Sequence, residues 1–143
     1  MAGIVVVRDV MAKGVKVVRP DTTVKEVVAT MNKFNIGSVV VVQADRPVGI
    51  ITERDILQRL VEPGLAPETL TARHVMTSPV VTIGESVSLD EAAKLMAKKK
   101  VKKLPVMSGD KLIGIITLTD IVAKMPTMFS VLEELVRPYH RSY

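Results

Sequence analysis

The stretches Gly49-Ile50-Ile51-Thr52-Glu53-Arg54-Asp55-Ile56 and Gly114-Ile115-Ile116-Thr117-Leu118-Thr119-Asp120-Ile121 are identical except at the two residues that follow the threonine. In both, a β-branched apolar run leads into Thr-x-x-Asp and a further isoleucine. This order is typical of a strand that ends where a capped helix begins. The pair therefore predicts a duplicated strand–helix unit.

An offset of 65 positions, as from 49 to 114, aligns most of the chain with itself without a gap. Self-similarity at a fixed offset is the signature of an internal duplication. The alignment predicts a first unit at 8–61, a linker at 62–70, a second unit at 71–125 and a C-terminal tail at 126–143. Further identities in this register are Arg8 with Arg73, Val10 with Val75, Met11 with Met76, Glu26 with Glu91 and Met31 with Met96.

The apolar pattern predicts the order strand, helix, strand, strand, helix in each unit, and hence a mixed α/β (α+β) fold. Thr23 and Ser88 are expected to cap the first helices, because a glutamate follows each three residues later. Helices on one face leave the other face of a three-stranded sheet uncovered, so we expect the units to pack through their sheets about a pseudo-twofold axis. Predicted strands are 16–19, 38–42, 48–51, 80–83, 104–107 and 112–116, predicted closing helices are 53–61 and 118–124, and a tail helix is expected at 127–136.

The composition limits the classes of function. The net charge of +5 favours an anionic partner, such as a phosphate-bearing metabolite, an acidic protein or nucleic acid. With two Phe, two Tyr and no Trp, the chain offers few stacking surfaces for single-stranded nucleic acid. The lack of cysteine excludes disulfides and thiol chemistry. No apolar run is long enough for a membrane span or a secretion signal, so we expect a cytoplasmic protein.

The residues also give no indication of catalysis. His74 and His140 are far apart, and neither has carboxylates near it at the spacing of a metal site. No nucleophile–base pair, glycine-rich phosphate loop or cofactor fingerprint stands out. We therefore expect a protein that is not an enzyme and that has no metal and no cofactor.

The tandem β-α-β-β-α unit closing with Gly-Ile-Ile-Thr-x-x-Asp-Ile resembles the CBS domain pair, also called a Bateman module. Asp9-Val10-Met11 and His74-Val75-Met76 are similar to the opening of each copy in that family. The resemblance covers roughly residues 8–125. It implies two pseudo-symmetric clefts that take AMP, ADP or ATP, or sometimes S-adenosylmethionine. It also implies a homodimer that regulates another protein, and the chain is similar to the stand-alone CBS-pair proteins of archaea and bacteria.

The resemblance implies that the closing motifs supply the ribose ligands. A carboxylate accepts two hydrogen bonds at once, so Asp55 and Asp120 are candidates to hold the two hydroxyls of a ribose. Thr52 and Thr117 are candidate hydroxyl donors to ribose or phosphate, and Thr119 adds a further hydroxyl. Thr-x-x-Asp is also a helix-capping arrangement, and the two roles are compatible.

The candidate basic residues differ between the units. Arg54 corresponds to Thr119 in the repeat register, and Lys102 and Lys103 correspond to Gly37 and Ser38. The resemblance assigns phosphate contacts to this place, so the two clefts are expected to bind unequally, with only one filled as an open alternative. By the same resemblance, the adenine slot comprises Lys16, Val17, Val18, Ile36, Val80, Val81 and Val101.

Two other functions remain open from the sequence. The positive charge and the lysines at 98–103 are compatible with a nucleic-acid-binding protein. A dimer that only holds a partner in place is a further alternative. Which leading strand closes which cleft, and how the two chains of a dimer are oriented, are left open by a single sequence.

Overall fold

The computed structural model describes residues 4–124. The helix expected at 127–136 lies outside the described residues. In both units the first strand pairs parallel with the second, and the second pairs antiparallel with the third. The strands are β1 Val17–Val18, β2 Ser38–Gln43, β3 Arg46–Thr52, β4 Ile83–Gly84, β5 Lys103–Ser108 and β6 Lys111–Thr117.

The helices follow the same order in both units. A short leading helix precedes the first strand, an eleven-residue helix follows it, and a closing helix follows the third strand. The first closing helix continues as a π-helical turn, Leu57–Val61. The helices are α1 Val7–Val10, α2 Val24–Phe34, α3 Glu53–Ile56, α4 Ala72–Val75, α5 Leu89–Lys99 and α6 Leu118–Lys124.

The predicted helix starts are confirmed. The Thr23 hydroxyl accepts a hydrogen bond from the Glu26 N–H at 3.2 Å, and the Ser88 hydroxyl accepts one from the Glu91 N–H at 3.2 Å. These bonds satisfy N–H groups that the first turn of a helix leaves without a partner. The cap fixes where α2 and α5 begin.

The strand predicted at 80–83 was wrong in position. Only Ile83 and Gly84 pair with β5, opposite Val106 and Met107. The repeat register places the counterparts of β1, Val17 and Val18, at 82 and 83. The β-branched residues that precede Ile83 led the prediction too far towards the N-terminus, because strand propensity does not show where a neighbouring strand is within reach.

Each sheet buries one face under helices and the other face against the sheet of the other unit. Val39 and Val41 of β2 belong to the core beneath the helices of the first unit. Val40 points the opposite way because strand side chains alternate, and it is fully buried. Pro105 of β5 is buried in the corresponding position, and Val40 pairs with Ile50 as Pro105 pairs with Ile115. The predicted packing of the units through their sheets is confirmed.

The leading helices are exchanged between the two cores. Val7 of α1 is fully buried in the core of the second unit, with Leu89 and Ile116. Ala72 and Val75 of α4 are fully buried in the core of the first unit. Each hydrophobic core is therefore built from both sequence repeats.

Candidate functional site

The segments that follow the leading helices cross onto the third strands. The Ala12 N–H donates to the Ile115 carbonyl at 2.9 Å, and the Ile115 N–H donates back at 3.0 Å. Thr77 and Ile50 form the same pair, at 2.9 and 3.1 Å. Exchanging the two repeats converts one pair into the other, as a twofold relation requires. The leading segment of each unit therefore lies against the closing motif of the other unit.

The glycine that opens each closing motif makes this crossing possible. A Cβ atom at Gly49 would lie 2.5 Å from the sulfur of Met76, and one at Gly114 would lie 2.5 Å from the sulfur of Met11. Real Cβ atoms do not approach other atoms so closely, so each methionine fits only where the strand has no side chain. The two methionines hold the leading segments against the sheets.

A cavity of about 330 Å³ opens where the segment from Ala12 to Lys16 meets the end of β6. We call it the first cleft. Its walls come from both units, and its volume lies within the usual range of small-molecule sites. Of the predicted site residues, it is lined by Lys16, Ile36, Gly37, Ser38, Lys103 and Thr117.

Three lysines give the first cleft a positive charge. Lys13, Lys16 and Lys103 line it. The Lys16 ammonium also lies 4.1 Å from the ring centre of Phe34, which stands at the same wall and attracts the cation through its π face. This concentration of cationic side chains favours an anionic ligand.

Gly37 brings the two units close together at this cleft. A Cβ atom there would lie 2.6 Å from a carboxylate oxygen of Glu53 and 3.1 Å from Nζ of Lys103. The Gly37 carbonyl also accepts a hydrogen bond from the Glu53 N–H at 3.2 Å, which ties it to the start of α3. Any larger residue at position 37 would push Glu53 or Lys103 away.

The closing motif beside the first cleft forms a local hydrogen-bonded ring. Thr117 lines the cleft, and its N–H donates to Oδ2 of Asp120 at 2.9 Å. The Asp120 N–H donates to the Thr117 hydroxyl at 3.1 Å. Asp120 is only partly buried, and its carboxylate is held beside Thr117, the residue of this motif that lines the cleft.

We call the region around Asp55, at the other closing motif, the second cleft. Asp55 is 6% exposed, and its Oδ2 accepts hydrogen bonds from both the N–H and the hydroxyl of Thr52, at 2.8 and 3.1 Å. Its Oδ1 accepts a third bond from the Thr77 hydroxyl at 2.9 Å. The two aspartates of the repeated motif therefore have different surroundings.

The other predicted residues lie outside the first cleft. Val18 is buried in the first core, and Val81 and Val101 pack against the second core. Val17 is half exposed and lines a separate surface depression with Asp110. The remaining predicted residues are Val80, which lines another depression near Arg46, and Arg54, Lys102 and Thr119, which are exposed.

Several residues of the two clefts were not among the predicted ones. They are Ala12, Lys13, Gly14, Val15, Phe34, Val39, Val40 and Ile115 in the first cleft and Thr77 in the second. The repeat register does contain a signal for Thr77, because it aligns this residue with Ala12, so that one unit has a hydroxyl where the other has a methyl group. Its meaning depends on the crossing of the leading segments, which local sequence patterns do not show.

His74 takes part in a cap. Its Nδ1 lies 3.1 Å from the Thr71 N–H and 3.0 Å from the Thr71 hydroxyl, at the start of α4. Within residues 4–124, no group of three or more His, Cys, Asp or Glu side chains is arranged to hold a metal ion. No helix in that range is long and apolar enough to cross a bilayer.

Comparison with known proteins identifies the repeat. The family model of the CBS domain matches residues 7–62 and 72–127. An uncharacterized protein of Methanopyrus kandleri is 39% identical over 122 residues, which are 84% of this chain and 62% of that protein. The chain thus spans about three fifths of the length of that relative.

Two further relatives are covered over most of their length. A CBS domain-containing protein of Bacillus subtilis is 32% identical over 115 residues, 80% of this chain and 81% of that protein. The crystal structure of an uncharacterized conserved protein from Pyrococcus horikoshii superimposes with a TM-score of 0.77 at 30% identity, covering 87% of this chain and 94% of that one. The chain belongs to the CBS domain family and contains two CBS domains in tandem.

Proposed function

We propose that this CBS pair is a non-catalytic regulatory module that binds an adenine nucleotide, AMP, ADP or ATP, in the first cleft. The observation that carries the proposal is the cavity of about 330 Å³ between the units, lined by three lysines and by Thr117. Its lysines suit phosphate, and its apolar residues, such as Ile36 and Val39, suit a base. Asp120, hydrogen-bonded to Thr117, suits the hydroxyls of a ribose.

The origin of the walls supports a regulatory role. Lys16 and Gly37 come from the first unit, and Lys103 and Thr117 come from the second. A ligand that contacts both units has a binding free energy that depends on how the units are placed. A difference of about 1–3 kcal/mol between two such arrangements is the usual size of a regulatory coupling. The regulated partner is then a protein or domain that contacts one arrangement better than the other.

Thermal unfolding in the presence of AMP, ADP, ATP and S-adenosylmethionine tests the proposal. At a ligand concentration about 100 times Kd, binding stabilises the folded state by about 2.7 kcal/mol, which raises Tm by roughly 5–15 °C for a chain of this size. S-adenosylmethionine is expected to give the smallest shift, because its sulfonium is repelled by Lys13, Lys16 and Lys103.

Matched variants locate the site. Asp120→Ala and Lys103→Ala are expected to remove most of the nucleotide-dependent shift. Lys99→Ala removes an exposed lysine at the end of α5 and should leave the shift intact. The absence of any shift with millimolar adenine nucleotide contradicts the proposal.

Exposed lysines favour nucleic acid as a second candidate ligand. Lys98, Lys99, Lys100 and Lys102 are all exposed at or just after the end of α5. Phosphate contacts of this kind weaken steeply as the salt concentration rises. A gel shift with RNA or DNA that persists near physiological salt, and that Lys99→Ala weakens, would favour this candidate over the nucleotide.

We also propose that the protein forms a homodimer through its closing helices. Leu57 and Val61 are each 59% exposed on the π-helical turn, next to a cavity of about 360 Å³ that Met31 and Ile56 also line. Covering these side chains removes apolar surface from water. Light scattering is expected to give twice the chain mass of 15.6 kDa, and Leu57→Glu is expected to return it to the monomer value.

A further inference from the structure

Both carboxylate oxygens of Asp55 already accept hydrogen bonds within the protein. Thr52 contributes two donors to one oxygen, and Thr77 contributes one to the other. To accept hydrogen bonds from the hydroxyls of a ribose, an aspartate must turn at least one free carboxylate oxygen towards the ligand. Asp55 is 6% exposed, and the Thr77 hydroxyl occupies the one oxygen that Thr52 leaves, so little of the carboxylate is open to a ligand while Thr77 stays in place.

Asp120 differs at the corresponding atom. Its Oδ2 accepts the Thr117 N–H, as in the other motif. The repeat register places Ala12 where the second unit has Thr77, and a methyl group donates no hydrogen bond. Within residues 4–124, Oδ1 of Asp120 accepts no hydrogen bond, and the residue is partly exposed. This carboxylate keeps an oxygen for a ligand.

Arg59 fixes the segment that carries Thr77. Its guanidinium donates to the carbonyls of Val75, at 3.1 Å, and of Met76. Arg59 lies one helical turn beyond Asp55 on the same closing helix, so the two side chains hold successive residues of the segment. Lys124 occupies the corresponding position beyond Asp120, so the other closing helix has no guanidinium at this place.

We infer that Thr77, held in place by Arg59, closes the second cleft by hydrogen bonding to Asp55, so that each chain binds one nucleotide and binds it in the first cleft. The inference rests on the proposed function for the identity of the ligand. The internal bond acts as a substitute for the ligand hydroxyl. A nucleotide would have to break this bond and move a segment that two side chains hold.

Isothermal titration calorimetry with AMP and with ATP tests the inference in the full chain. The wild type is expected to bind one nucleotide per chain. Thr77→Ala gives the second unit the residue that the first unit has, and it is expected to raise the stoichiometry to two. Ser78→Ala, a neighbouring exposed residue, should leave it at one. Ala12→Thr supplies the missing hydroxyl beside Asp120 and is expected to weaken binding at least tenfold.

Two sites in the wild type, or one site in Thr77→Ala, would overturn the inference. If no variant binds a nucleotide, the proposed function fails, and unfolding without ligand still tests the closure. Thr77→Ala and Asp55→Asn are each expected to lower Tm by about 3–6 °C. The Tm of the double variant should be close to that of the less stable single variant, because both substitutions remove the same hydrogen bond. Additive losses would show that the bond does not hold the cleft closed, whatever the protein binds.

Discussion

The two halves of this molecule have the same strand order, equivalent caps on their eleven-residue helices and the same closing motif, but their clefts differ. In the first cleft, the leading segment contributes the small residues Ala12 and Gly14 to the wall, and three lysines line the cavity. In the second, Thr77 is bonded to Asp55 and Arg59 holds the backbone before it. The comparison teaches that a repeated motif does not ensure a repeated site, because the residue facing the motif comes from the other repeat.

The largest difference in stability between corresponding variants of the two halves is expected at the glycines of the closing motifs. A Cβ atom at Gly114 would lie 2.8 Å from the backbone oxygen of Ala12, whereas the three nearest atoms at Gly49 all belong to the side chain of Met76. A side chain rotates away more easily than a paired backbone. Gly114→Ala is therefore expected to lower the free energy of unfolding by about 2–3 kcal/mol, and Gly49→Ala by about 1–2 kcal/mol.

Urea unfolding of the two variants measures this difference. Gly84→Ala is the control, because a Cβ atom there would meet only a methyl group of Val87 at 3.8 Å, an ordinary contact. Gly114→Ala should also weaken nucleotide binding, since it displaces Ala12 at the wall of the first cleft. Equal losses at the two glycines would mean that the crossing at Ala12 is no more rigid than the packing of Met76.

A smaller effect is expected at Arg59, which acts in the second half only. Arg59→Ala removes hydrogen bonds to two backbone carbonyls, and the free energy of unfolding should fall by about 1–2 kcal/mol. Arg54→Ala removes an exposed arginine of the same closing helix and should change it by less than about 0.5 kcal/mol. Hydrogen exchange provides a second measurement, because only Arg59→Ala should speed exchange at the Thr77 N–H. Similar behaviour of the two variants would contradict the assigned role.

The smallest effect is expected at Arg8, which anchors α1 to the second unit through an ion pair of 3.1 Å with Glu85. Hydrogen bonds from Ser108 and then from Arg8 lower the pKa of Glu85 below its ordinary value of 4.5. A lowered pKa in the folded state means that the stabilisation is present above about pH 4.5 and is lost as the pH falls through the folded-state pKa.

The Tm of Arg8→Ala should therefore be slightly below that of the wild type at pH 7, and the gap should narrow on acidification below pH 4.5. Arg73 is the matched control, since it holds the same place in the other unit, where its N–H bonds to the carbonyl of Pro20. Proline has no carboxyl side chain, so Arg73→Ala should show no such pH-dependent gap. A gap for Arg8→Ala that is unchanged at acid pH would contradict the role of Glu85.

Local patterns predicted the elements of the fold well. Apolar spacing and the caps at Thr23 and Ser88 predicted both eleven-residue helices, and the uncovered face of a three-stranded sheet predicted that the units pack through their sheets. These features depend on residues a few positions apart, so the sequence contains the information directly. The position of β4 was missed because the β-branched residues before Ile83 extend the strand pattern beyond the residues that pair.

The candidate site was only partly predictable. Lys103, Gly37 and Thr117 were predicted as site residues from the sequence, and they line one cavity. Their common location depends on contacts across the two units, which the offset of the repeat does not specify. The bond from Thr77 to Asp55 and the placement of Lys16 over Phe34 follow from the crossing of the leading segments and from the path of the chain after α2. Neither leaves a local pattern.

The exchange of leading helices bears on how such a protein arose. Val7 completes the core of the second unit, and Val75 completes that of the first. A chain with a single repeat therefore cannot fill its own core with its own leading helix, at least in this geometry, and has to donate that helix to another copy. A single repeat of this geometry is then expected to form a domain-swapped dimer, and in the present chain the segment around Pro63 and Pro67 connects the two halves of such an exchange.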